Sequence, residues 1–323
     1  MFLKVNGART RRRLFAVALG ALRLLSASAS AAQPHVSLPP VNLGASSFMD
    51  GPGGPGIAAQ ELVAGYFAPR LTDANGGSVP VHGGSLPVHF SVAALALATY
   101  VGYTAPVKVL GGYWGVEVVV PVVHLDVRTP DGRASTTGIG DAIFSPLVLQ
   151  LPDAKILGRP FFHRFDTDVI APSGQYSATA AVSPGNNVWS VNPYYAFTVL
   201  LTDRIETSWR FLYLWNSANH SPAPAYDAPT IQPGQAFHFN GAVSVAVVPS
   251  FRIGIAGYFL TQVSDSEVGG RATANSRERA AGLGPGLLVS AGTFRVIANV
   301  SAEFGVENRP AGERAYVAIL KGW

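Results

Sequence analysis

The stretch Phe294-Arg295-Val296-Ile297-Ala298-Asn299-Val300-Ser301-Ala302-Glu303-Phe304-Gly305-Val306-Glu307 decides the fold. Phe294, Val296, Ala298, Val300, Ala302, Phe304 and Val306 fall on one parity, and Arg295, Asn299, Ser301, Glu303 and Glu307 on the other. A β-strand sends successive side chains to opposite faces, so this pattern predicts a ribbon between an apolar and a polar surrounding. The split recurs at Phe237, Phe239, Val243, Val245 and Val247 against His238, Asn240 and Ser244. It recurs again at Ile205, Trp209, Phe211, Tyr213 and Trp215 against Glu206, Ser208 and Arg210. Alternation by itself fits a soluble β-sandwich or a membrane barrel.

Composition and connections separate the two. Residues 1–32 read as a secretory signal peptide: Lys4, Arg9, Arg11, Arg12 and Arg13, an apolar run from Leu14 to Leu25, then small residues, with cleavage expected near residues 29–32. Six of the 23 Lys and Arg lie in that leader and none of the 19 Asp and Glu do, so the exported chain carries about −2 rather than +4. The basic balance that would suggest nucleic acid therefore disappears, and no nucleic-acid partner is expected. Zero cysteines exclude a disulfide framework and thiolate chemistry. Charged residues at 13% are about half the usual share, which argues against large soluble helices with charged faces. The best helical span, residues 91–103, falls short of the roughly 20 residues that a bilayer core requires.

The pattern predicts an all-β, antiparallel transmembrane β-barrel of about twelve strands: 60–70, 91–104, 107–127, 138–150, 160–171, 188–202, 205–216, 235–248, 251–264, 281–291, 294–306 and 313–323. Short connections around 105–106, 202–204, 249–250 and 291–293 alternate with long ones at 71–90, 128–137, 172–187, 217–234 and 265–280. Short periplasmic turns against longer outer loops characterise outer-membrane barrels. Three regions result: 1–32 leader, 33–59 a flexible Gly- and Pro-rich segment lying in the periplasm or folded into the pore, and 60–323 the barrel, with both chain ends in the periplasm. Tyr66, Tyr100, Tyr194, Trp209, Trp215 and Tyr258 are among the aromatics expected in belts at the lipid headgroups.

Several motifs carry a family resemblance in order along the chain. They are Ser47-Phe48-Met49-Asp50-Gly51, Leu71-Thr72-Asp73, Lys108-Val109-Leu110-Gly111-Gly112, Gly138-Ile139-Gly140-Asp141, Ala171-Pro172-Ser173-Gly174-Gln175-Tyr176, Asn186-Asn187 with Trp189, and Gly257-Tyr258 with Thr261-Gln262. From about residue 41 to 323 the chain resembles the transporter-like outer-membrane proteins named for the meta-cleavage pathway of phenol degradation. It departs from that pattern at residues 220–225, where a Thr-bearing stretch is expected. The resemblance implies a channel or uptake role, and it supplies no catalytic residue; with no energy-coupling segment recognised, the expected work is passive uptake of small apolar or aromatic compounds.

With apolar faces toward lipid, the lumen receives Glu117, Arg164, Asp166, Asp168, Glu206, Arg210, His238, Arg295 and Glu303. Such charges are costly in a barrel unless paired or wet, and by the logic of channel constrictions they set solute selectivity. Arg164, Asp166 and Asp168 form the densest stripe and the first choice for a constriction, with residues 217–234 and 265–280 as an outer gate. No metal or cofactor is expected: the seven histidines lack ligand spacing, and the 51–56 glycines lack the Lys-Ser/Thr that cradles phosphate. The expected partners are outer-membrane lipid, small hydrophobic or aromatic solutes, and the barrel-assembly machinery. Two alternatives remain open, an outer-membrane lipid hydrolase, for which His238, Asn240, Ser244 and Ser301 share the inward parity without a triad order, and a soluble periplasmic β-sandwich that binds a ligand.

Overall fold

The computed structural model describes residues 35–79, 82–83, 86–87, 90–129 and 132–323. The leader lies outside the described residues. Twelve wall strands follow in chain order: β1 (Gly56–Leu71), β2 (Ser91–Val109), β3 (Gly112–Thr129), β4 in two pieces (Gly132–Ile139 and Ile143–Gln150), β5 (Arg159–Ile170), β6 (Ser190–Leu200), β7 (Ile205–Asn216), β8 (Ala236–Val248), β9 (Phe251–Gln262), β10 (Arg279–Ala291), β11 (Phe294–Glu307) and β12 (Pro310–Gly322). Each pairs antiparallel with its neighbours in sequence, and β1 pairs with both β2 and β12, which closes the ring. Closure satisfies the backbone of every wall strand without an edge, the condition for crossing a bilayer with strands. It overturns the β-sandwich alternative. Among the described residues no helix is long and apolar enough to cross a membrane.

The apolar parity faces outward. Phe294, Val300 and Phe304 are about half exposed, as are Val243, Ile255, Val317, Leu97 and Val120 around the wall, while Asn299, Ser244, Ala256, Ala318 and Glu206 on the other parity are buried. This is an outer-membrane β-barrel with its greasy side toward lipid. Val306 departs from its expected outward position. Gly305 adopts a positive φ of 58°, the β10–β11 register shifts at this end, and Val306 turns into a buried cluster with Ala280 and Ala311.

Three further expectations change. The connection read at 128–137 is strand to Thr129 and again from Gly132, so β3 and β4 rise as a tall hairpin whose Asp126 pairs with Arg133. β1 starts at Gly56 rather than at 60, because its pairing with β2 reaches down to Thr104. On the outer face of β5–β9 the aromatics do not stop at the strand ends. Phe161, Phe197, Phe211, Trp209, Phe239 and Phe259 form one continuous patch with neighbouring ring centroids 5.6 to 6.3 Å apart. Strand pairing places these rings in adjacent rows, where aromatic pairs stabilise a sheet.

Candidate functional site

The interior is occupied by the chain's own amino-terminal segment. Residues 35–55 run as an irregular thread from the long-loop mouth to the short-turn rim. At the outer end Tyr226 donates to the His35 carbonyl (2.9 Å), Ser266 Oγ to the Val36 carbonyl (3.2 Å), and Leu38 N donates to Glu278 (2.8 Å). At the other end the β1 residue Ile57 exchanges backbone hydrogen bonds with Trp323. The described chain therefore enters at the outer mouth, and only the carboxyl end lies at the periplasmic rim, contrary to the expectation of two periplasmic ends.

Side chains of the wall grip the backbone of this thread. Gly44 N donates to Asn240 Oδ1 (2.8 Å), Tyr316 donates to the Leu43 carbonyl (2.5 Å), Gly51 N donates to Thr198 (2.9 Å), and Gln150 Nε2 donates to the Gly51 carbonyl (3.2 Å). A buried backbone needs every such partner. The glycines that suggested flexibility serve close approach instead. A Cβ on Gly51 would lie 2.4 Å from the Phe162 carbonyl oxygen and 2.5 Å from Thr198 N, and Gly44 holds a φ of +83° against the Tyr258 ring. Apolar side chains complete the fit: Leu43 packs among Leu214, Tyr258 and Leu260, and Phe48 among Ala242, Ala256 and Leu288.

The charged residues expected in the lumen divide into separate groups. Arg210 makes a two-pronged contact with Asp50 of the thread, Nε to Oδ2 at 2.9 Å and Nη2 to Oδ1 at 2.6 Å. Arg164 approaches the same Oδ1 oxygen at 3.5 Å and Glu117 at 3.8 Å. Both guanidiniums lie over the Tyr194 ring, at 4.2 Å for Arg210 and 5.5 Å for Arg164. Tyr194 in turn donates to Asp166 (2.7 Å), Tyr100 to Glu117 (2.8 Å) and Ser145 to Asp168 (2.6 Å). Arg164 and Arg210 thus meet at one carboxylate, Asp50, which the sequence alone assigns to a flexible segment; Glu117 joins through Arg164, while Asp166 and Asp168 are held by Tyr194 and Ser145. A lone acid in a Gly/Pro-rich stretch, with two arginines expected in the lumen, is the signal that could have found it.

The remaining four lie elsewhere. Glu303 accepts from Tyr66 (3.0 Å), Tyr258 (2.8 Å), Gly312 N (2.9 Å) and Arg314 (3.1 Å), forming a second buried network between β1, β9, β11 and β12. Glu206 accepts from Ser208 (2.7 Å) and Ser244 (2.5 Å). His238 pairs with Asn192 at 3.1 Å, and Arg295 stands next to Phe294 at the end of β11, opposite Leu320. Tyr66, Tyr100, Tyr194 and Tyr258, expected in the headgroup belts, point inward, because their parity places the phenols against lumen carboxylates and arginines.

Outer loops close over the mouth. Asp141, in the break of β4, accepts from Gly174 N (2.9 Å), Asn186 N (2.8 Å) and Asn186 Nδ2 (3.0 Å), which pins the 171–189 connection. Residues 231–232, 267–268 and 271–272 form a small three-stranded sheet above the start of the thread. Tyr226 sits in this cap, where burial and the neighbouring Tyr176 push its phenol up to about 12.

Among solved structures, the COG4313 outer membrane channel from Pseudomonas putida F1 superposes with a TM-score of 0.71 at 14% identity, covering 84% of this chain and 97% of that one. The translocator domain of the autotransporter NalP from Neisseria meningitidis gives a TM-score of 0.45 at 8% identity over 84% of this chain and 90% of that one. The P. putida toluene transporter TodX gives 0.40 at 7% identity over 84% and 91%. The first of these shows a shared fold. No curated protein matches the chain by sequence. The family model described as "Putative MetA-pathway of phenol degradation" matches residues 68–319, most of the wall and its loops, and the chain belongs to that family.

Proposed function

We propose that this barrel is a passive outer-membrane channel for small apolar or aromatic compounds, closed at rest by residues 35–55. The observation that carries the proposal is the nature of the filling. The wall encloses a separate thread held by side-chain contacts to its backbone, rather than a core packed from wall residues alone. Such contacts are exchangeable for water or solute as the thread moves. Arg164, Asp166, Asp168, Glu117 and Arg210 surround its midpoint and are the selectivity residues of this reading; Glu206, His238, Arg295 and Glu303 line other heights of the lumen. The loop contacts above His35 form the outer gate. Family membership and the fold shared with the COG4313 outer membrane channel support the same reading.

Among the described residues His238 pairs with Asn192 and Ser244 donates to Glu206, so these two are not joined as base and nucleophile. Conductance and liposome swelling test the channel: a protein lacking residues 35–54 is expected to conduct ions and admit small solutes well above the full chain. Arg164→Ala and Asp166→Ala in that background should shift ion selectivity. A thread-free, folded barrel that passes neither ions nor solutes removes the proposal.

A further inference from the structure

Deepening the channel reading, we propose that the Arg164–Arg210 clasp is a carboxylate subsite. Asp50 occupies it at rest, and an aromatic carboxylate with a short spacer takes the place of Phe48 and Asp50 during passage. Asp50 fills the Arg210 fork side-on through two short bonds, the geometry by which guanidinium selects a planar carboxylate. Arg210 is only 11% exposed and, among the described residues, its ion pair is with Asp50. When the thread leaves, Arg210 loses its carboxylate partner and is left to water over the Tyr194 ring, where an anionic solute restores a two-pronged charge-assisted pair. An uncharged solute offers no such pair. Arg164 is the looser half of the clasp. It divides between Asp50 and Glu117, and its Nε has no partner among the described residues. Asp166 and Asp168 hold hydroxyls of Tyr194 and Ser145 instead of either arginine.

The thread also shows what kind of body the carboxylate should carry. Two residues before Asp50, the Phe48 ring fills an apolar socket of Ala242, Ala256 and Leu288. Phe48 and Met49 form a turn, with Met49 at a φ of +54°, so the ring and the carboxylate are held close along a bent backbone. A phenyl ring joined to a carboxylate by two methylenes offers the same two features, an apolar ring and a planar anion, on one short flexible chain. The Tyr194 ring beneath both guanidiniums keeps them in place when Asp50 departs.

The test uses the full chain in detergent micelles, with folding verified by heat-modifiable migration, and 3-phenylpropionate against 3-phenylpropanamide as probes in titration calorimetry. Asp50→Ala should bind 3-phenylpropionate at least tenfold tighter than the unaltered protein, because the internal competitor is gone. Asp50→Ala with Arg210→Gln should lose that binding, Asp50→Ala with Arg164→Gln should weaken it, and the amide should not bind to any of them. Equal affinity for acid and amide, or equal affinity with and without Arg210, overturns the subsite. The outcomes for the channel are separate. A conducting thread-free barrel with no preference for the acid keeps the channel and sinks the subsite, whereas binding of the acid by a barrel that never conducts sinks the channel alone.

Discussion

At the scale of single residues, the interior is organised by a few fully enclosed carboxylates, and their partners decide what each one does. Glu303 is wholly buried and takes four donors, with Arg314 stacked 4.1 Å over Tyr66 as its counter-charge. Glu303→Leu leaves that arginine without an anion and is expected to cost about 3–5 kcal/mol, the usual penalty for stranding one buried charge. Urea unfolding of the detergent-folded protein measures it; a loss under about 1 kcal/mol would show the network to be dispensable. Tyr226 gives a pH expectation with a definite sign. Its phenol is raised from 10 to about 12, so the folded state favours the protonated form. The hydrogen bond to His35 is therefore intact at every pH below 10 and is lost as pH rises through 12. Hydrogen exchange at residues 35–38 should be constant from about pH 6 to 9, after correction for intrinsic rate, and faster in Tyr226→Phe by the worth of one hydrogen bond, about 0.5–1.5 kcal/mol.

At the scale of elements, the amino-terminal thread and the end of β11 show how a glycine can be misread from sequence. Both carry glycines whose role is close fit or altered direction. Gly51 lets the thread touch the β5 and β6 backbones, and Gly305 turns Val306 out of the lipid-facing parity. Neither role has a local sequence signature, because the neighbour that forbids a Cβ comes from a strand more than a hundred residues away in the first case. Gly51→Val is expected to displace the thread while leaving the wall intact. Planar-bilayer recordings should then show larger and more frequent openings than the unaltered protein, and unchanged recordings would mean that the thread does not obstruct the bore. The tall β3–β4 hairpin was hidden for a related reason. Polar residues such as Arg128 and Arg133 look like loop, yet above the bilayer a strand needs no apolar face.

At the scale of the whole molecule, closure rests on one seam. β1 and β12 join the first and last wall strands through pairs from Ala58–Gly322 to Leu71–Pro310. Deleting residues 310–323 opens two edges in lipid and is expected to abolish the heat-modifiable folded band on electrophoresis, since each unpaired backbone group costs several kcal/mol in hydrocarbon. A chain that still migrates as a folded barrel would show that β1 and β11 can close the ring without it. The amino-acid sequence by itself determined a wall of about twelve strands, the parity that faces lipid and most of the alternation of short and long connections, because side-chain period and turn chemistry are local properties. Tertiary structure alone decided which charges meet, that Asp50 is the carboxylate they share, and that the first segment enters from the outer mouth. Those are consequences of register and closure, which bring residues 50, 117, 164 and 210 to one height inside the bore, and no local pattern encodes a meeting of that kind.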